Sequence, residues 1–157
     1  MGNLASKRKG ISGWTAYTPV LAGTGIGSFT ENFATWRRVG ASIEVAGTLL
    51  KDGSDGTGFD GLFVTLPSGL TIDAASLPNN DLTSNHNSYG TALFIYGPSG
   101  AGLIGATEPA AMSVKGAFDS THISFYVGNA NAYLTAGNLK AASRISYRFT
   151  LPIAEWV

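Results

Sequence analysis

The 157-residue sequence predicts an all-β fold, a jelly-roll-like antiparallel β-sandwich spanning residues 14–157, and three observations carry that expectation. Apolar residues recur with a period of two rather than 3.6. Twenty-one glycines and six prolines fall between apolar blocks, as tight turns between short strands require. No segment holds a helical stripe. The chain is 44% hydrophobic, 11% aromatic and 13% charged, which suits an ordered core and not intrinsic disorder. A single domain of this size buries roughly 68–70% of its unfolded surface.

Residues 1–13 read as a flexible arm, small, polar and basic, with order expected from Trp14. The cluster Lys7, Arg8 and Lys9 is followed by no apolar region, so it is not a signal peptide. It reads either as a solvated terminus or as a connector that docks into a larger assembly. Beyond it, Ile43, Val45, Gly47 and Leu49 alternate with Glu44, Ala46 and Thr48. Leu62, Val64 and Leu66 alternate with Phe63 and Thr65, and Ile123, Phe125 and Val127 with Ser124 and Tyr126. Ile145, Tyr147, Phe149 and Leu151 alternate with Arg144, Ser146, Arg148 and Thr150. Successive strand side chains point to opposite faces, so each set predicts one buried and one wetter face. Ala92-Leu93-Phe94-Ile95-Tyr96 is apolar throughout, which predicts a strand covered on both sides, by a second sheet or a neighbouring subunit. Residues 129–142, rich in alanine but cut by Gly137 and asparagines, predict a loop or a single turn.

Several function classes are disfavoured by composition. Ten basic and ten acidic residues cancel, which argues against a nucleic-acid partner. The absence of cysteine excludes disulfides, thiolate zinc sites and cysteine nucleophiles. No apolar stretch reaches the roughly 18 residues of a membrane helix, so no membrane insertion is expected. Gly56-Thr57-Gly58-Phe59-Asp60-Gly61 matches the dinucleotide fingerprint by letters, but a strand follows it where a phosphate cradle needs a helix. Asp52, Asp55 and Asp60 miss the spacing of a helix–loop–helix calcium site, so loop 52–61 reads as an acidic hairpin loop, with a bound ion left open. His86 and His122 share no ligand spacing, and no paired carboxylates or nucleophile elbow stand out. The sequence therefore predicts no catalytic residues, no metal site and no cofactor. The candidates for glycan or receptor contact are Asn85, His86, Asn87 and Tyr89, with Tyr133, because amide groups beside an exposed ring suit sugar binding. Loops 52–61, 79–89, 97–101 and 128–138 are the expected contact loops. Arg37, Arg38, Arg144 and Arg148 fall on strands and face either solvent or, across subunits, Glu44 and Glu155.

Three blocks together carry a family resemblance. They are Trp14-Thr15-Ala16-Tyr17-Thr18-Pro19; Trp36 to Gly47 with Leu66 to Asp73; and Ile145 to Trp156. This set resembles the β-sandwich domain of bacteriophage virion proteins, namely tail-fibre and tailspike C-terminal modules and head-fibre or decoration proteins. The resemblance implies a jelly roll, a homotrimeric knob, a place on the virion exterior after synthesis in the host cytoplasm, and contact with a host surface glycan or protein. It transfers no catalytic residue. With about a dozen residues before the domain, a long stalk is not expected; the chain reads as a short virion protein or a fragment. Strands apolar on both faces point independently to symmetric self-association. The alternatives are a free-standing carbohydrate-binding module, expected to be monomeric, and a hydrolytic tailspike fragment. Deleting residues 1–12 is expected to leave fold and trimer intact and to abolish incorporation into particles, scored by blotting purified particles.

Overall fold

Period-two patterning builds strands wherever the sequence shows it. The computed structural model describes residues 10–57, 61–77, 88–95, 110–115, 119–127 and 134–156. Within them lie β1 (Thr15–Tyr17), β2 (Leu21–Ala22), β3 (Phe29–Val39), β4 (Ser42–Lys51), β5 (Phe63–Thr65), β6 (Ser88–Ile95), β7 (Ala110–Lys115), β8 (His122–Val127) and β9 (Arg144–Pro152). Short 3-10 turns occupy Ala74–Ser76, Ala136–Asn138 and Ala154–Trp156, and no α-helix occurs among the described residues. The strands form one antiparallel, strongly curled sheet in the order β1-β3-β4-β9-β6-β7-β8-β5-β2.

The curl follows from chain length. The outermost strands, β1 and β2, are consecutive, with only Thr18, Pro19 and Val20 between them. Four Cα steps reach at most about 14 Å. Nine strands laid flat would hold their edges roughly 38 Å apart. The sheet must therefore bend until its edges approach each other. The seam is hydrogen-bonded: Val20 N donates to Thr65 Oγ1 at 2.9 Å, Thr65 N donates to Val20 O at 3.1 Å, and Tyr17 Oη donates to Thr65 O at 3.3 Å. Asn32 Nδ2 fastens the same linker to β3 through Pro19 O at 2.7 Å.

Turn chemistry sets the registers. Gly40, at φ 65°, takes the first position of the two-residue turn that pairs Val39 with Ser42. Only glycine adopts such a φ without cost, and it matches the twist of a hairpin. Ser68 and Gly69 form the centre of a turn closed by Leu70 N donating to Pro67 O at 3.2 Å, with Gly69 at φ 82°. The C-terminal strand β9 lies inside the sheet, between β4 and β6. The chain end is then latched: Ala154 N donates to Thr71 O at 2.9 Å, and Glu155 accepts from Thr71 N at 3.0 Å and Thr71 Oγ1 at 2.6 Å.

The core fills the concave side of the curl. Ile43, Val45, Leu49, Ile145, Phe149, Leu151, Val64, Ile123 and Phe125 are all buried there, as the alternation predicts. One transverse row runs Tyr17, Ala34, Gly47, Tyr147 and Ala92. Its small members make room for the Tyr147 ring, which lies across Gly47 so closely that a Cβ there would overlap it. Phe125 and Phe149 flank the ring at centroid distances of 5.4 and 6.2 Å. Burial raises the Tyr147 phenol far above its ordinary pKa, and nearby Tyr17 adds to the shift. The Tyr147 hydroxyl is buried and has no hydrogen-bond partner among the described residues.

Three features depart from the sequence expectation. Ser124 and Tyr126 are buried along with Ile123 and Phe125, so β8 is covered on both sides. In contrast β6, expected to be covered on both sides, alternates: Ala92 and Phe94 are buried while Leu93 and Ile95 are exposed. Pairing along β3 also begins before Trp14. Ile11 bridges Val39, and Ser12 N donates to Arg38 O at 3.0 Å while Ser12 Oγ accepts from Arg38 N at 2.8 Å. A deletion that spares these contacts therefore ends at residue 9.

The crowded Tyr147 row gives opposite expectations for two substitutions. Gly47→Ala forces atoms into a filled core and should cost about 1–3 kcal/mol. Tyr147→Phe removes this buried hydroxyl and should raise stability by about 1 kcal/mol. Urea denaturation of both variants checks the pair.

Candidate interaction surface

The convex side of the sheet is organised by one buried carboxylate. Glu44 sits in mid-sheet on β4, only 9% exposed, opposite Arg37 of β3. Arg37 Nε donates to Glu44 Oε2 at 2.5 Å, and Arg148 Nε, from β9, donates to Oε1 at 2.8 Å. Arg148 Nη2 bonds the same oxygen. Two guanidinium groups thus compensate the carboxylate for the water it loses. The Arg148 hydrogen bond is the leading cause that holds the Glu44 carboxyl below its ordinary pKa, against burial, with Arg37 adding to it. Trp14 covers Arg37, whose guanidinium carbon lies 4.7 Å from the ring centroid. The neighbouring Arg38 stacks on Trp156 at 4.9 Å, and Trp156 in turn stacks on Trp36 at 5.9 Å. Arg37 and Arg148 thus meet Glu44 within the chain, where pairing across subunits or a solvated face was expected, and Glu155 accepts from Thr71.

Below that cluster one row of the convex face carries no charged side chain. It runs Phe33, Thr48, Ser146, Leu93 and Ala111 across five strands. The next runs Glu31, Leu50, Arg144 and Ile95, with Arg144 Nη2 3.6 Å from Glu31 Oε1. Phe33 is 54% exposed, Leu93 43% and Ile95 39%, which makes these among the most exposed large apolar side chains of the described residues.

The residues singled out from sequence are placed unevenly. Tyr89 lies on β6 at a register shift between Ser88 and Gly90. Such a bulge re-aims a side chain. The Tyr89 ring packs half-buried against the core and its hydroxyl is buried, so it is not the exposed platform expected. Asn85, His86, Asn87, Tyr133 and the arm residues Lys7, Arg8 and Lys9 lie outside the described residues, as do loop 97–101 and residues 128–133. Sequence reasoning placed the contact candidates on loops, and gave Leu93 and Ile95 only as part of a strand covered on both sides, by a second sheet or a neighbouring subunit. The unbroken apolar run around Leu93 was the available signal.

Loop 52–61 is tied into the fold through its described part. Lys51 is fully buried; its Nζ donates to Asp52 Oδ1 at 2.7 Å, Ser28 O at 3.0 Å and Ser54 Oγ at 3.3 Å. The Lys51 and Ser54 contacts hold the Asp52 carboxyl well below the usual carboxylate range. Asp55 accepts from Ala141 N at 2.9 Å and lies 3.4 Å from Lys140 Nζ. Gly56 N donates to Leu139 O at 2.7 Å, and Thr57 N to Gly25 O at 2.8 Å, so the glycines serve close backbone packing. His122 Nδ1 meets Asp119 Oδ1 at 2.8 Å, and among the described residues no three acidic or histidine side chains converge as metal ligands. A cleft of about 400 Å³ opens at the seam, lined by Tyr17, Thr18, Val20, Thr65, Ser68 and Leu70, with others. No helix of the described residues is long and apolar enough to cross a membrane. Comparison with known proteins finds no matching family model, no similar curated protein and no similar solved structure.

The Glu44 cluster makes stability fall in acid. A folded-state pKa below the unfolded value, near 4.5, stabilises above that pH and is lost as pH falls through the lower folded value. Glu44→Gln should cost about 1–2 kcal/mol at neutral pH. It should also flatten the decline between pH 4.5 and more acid conditions, read from denaturation midpoints across that range.

Proposed function

We propose that this chain is a non-enzymatic structural protein of a bacteriophage particle. It forms a homotrimeric knob of a fibre or decoration device on the particle exterior and contacts the host cell surface. The observation that carries this reading is the convex sheet face on which Phe33, Leu93 and Ile95 stand exposed. Large apolar side chains that stand exposed among polar groups on one sheet face suit a surface that an assembly covers. In this reading the curled sheet is a two-layer jelly roll, the basic arm ties the knob to the particle, and the loops beyond the described strands reach the host. The order of the Trp14, Trp36 and Ile145 blocks supports it through the resemblance to virion domains.

The seam cleft favours the second reading, a carbohydrate-binding module. Tyr17, Thr18 and Ser68 are among its lining residues, none of which is charged, as suits a neutral sugar. Sedimentation equilibrium separates the two. A particle of three 16.2 kDa chains supports the virion reading, and a monomer that retains neutral oligosaccharides supports the other. Antibody labelling of intact phage should then decorate the exterior; particles without label overturn the virion assignment.

A further inference from the structure

The convex face itself suggests its occupant. Its central positions carry short side chains, Thr48 and Ser146, between the larger Phe33 and Leu93. The ion pairs stand at its two ends. The β3–β4 half carries both acids, Glu31 and Glu44, and the β9–β6 half carries Arg144 and Arg148. Arg37, the one base on the acidic half, is already spent on Glu44 and Trp14. Glu31, Arg144 and Arg148 all keep exposed side chains, so they can share their charge with a neighbour. The face thus holds an acidic and a basic half in the same chain, and the partner it complements is another copy of itself.

The unbroken apolar run of β6 then has its cover: Ala92 and Phe94 face the chain's own core, and Leu93 and Ile95 face the neighbour.

We propose that the convex face of β3, β4, β9 and β6 is the self-association surface, with the β3–β4 half of one copy packed on the β9–β6 half of the next. This rests on the reading that the chain self-associates, and adds to it where and how. The test is the mass in solution of the full chain and four variants. Phe33→Arg and Leu93→Glu each place a charge beside an opposite one within the chain, which preserves the monomer fold, yet put it in the centre of the interface. Each should weaken association about 30-fold or more. Combined in one chain, they meet across the interface and should restore most of it. Val20→Arg, an exposed apolar position off this face, should change nothing. Thr48→Arg is a second blocker of the face and should act as the single variants do, with circular dichroism reporting the fold of each. If the unaltered chain associates and the Phe33, Leu93 and Thr48 variants associate equally, the surface is wrong while self-association stands. If the single variants dissociate and the double variant does not recover, the pairing of halves is wrong. If the unaltered chain is monomeric at high concentration, the reading beneath both is wrong.

Discussion

Three residues join the two outermost strands of a nine-stranded sheet, and that short link governs the rest of the molecule. Because Thr18 to Val20 cannot span a flat sheet, the sheet closes toward itself and acquires an inside and an outside. The inside accepts one alternate set of side chains, a continuous cluster from Ile26 on the β2–β3 connection through Ile153 near the chain end. The outside receives the other set. Thr65 serves the seam twice, as a backbone donor and through its hydroxyl, which fixes how far the edges approach.

Polar groups inside this shell are handled locally. Lys51 is the clearest case: each of its three ammonium hydrogens has an acceptor, and the Phe29 ring stands 5.5 Å from Nζ. Glu44 is the acidic counterpart on the convex side, closed by two guanidinium groups. Both lie on β4 and join neighbouring strands or loops by charge. They set register as much as they add stability, since a slip by one residue would leave a buried charge without its partner. Tyr147 is the exception, a buried hydroxyl whose ring shape rather than its polarity suits the row it fills.

How far the fold was legible depended on whether a strand answers to one neighbour or to several. For β4 and β9 the alternation from Ile43 and from Ile145 gave the buried face residue by residue, because each strand has one face on the core and one outside. For β8 it failed, since Ser124 and Tyr126 are buried together with Ile123 and Phe125. Tyr89 was misplaced for a similar reason: its polar neighbourhood in the chain suggests exposure, but the bulge before Gly90 turns it to the core. The surface argued here was hidden because Phe33 and Leu93 lie 60 residues apart and meet only across the intervening strands β4 and β9.

The sequence by itself determined the strands β4, β5, β6, β8 and β9 and most of the inward-facing residues of β4 and β9, because a period of two and a glycine at a turn act over neighbours in the chain. Only the tertiary structure decided which strands lie side by side, that the last strand enters the middle of the sheet, and that Glu44 gathers Arg37 and Arg148. Those outcomes depend on closing a curled sheet over a shared core, a balance of burial and reach that no local pattern encodes.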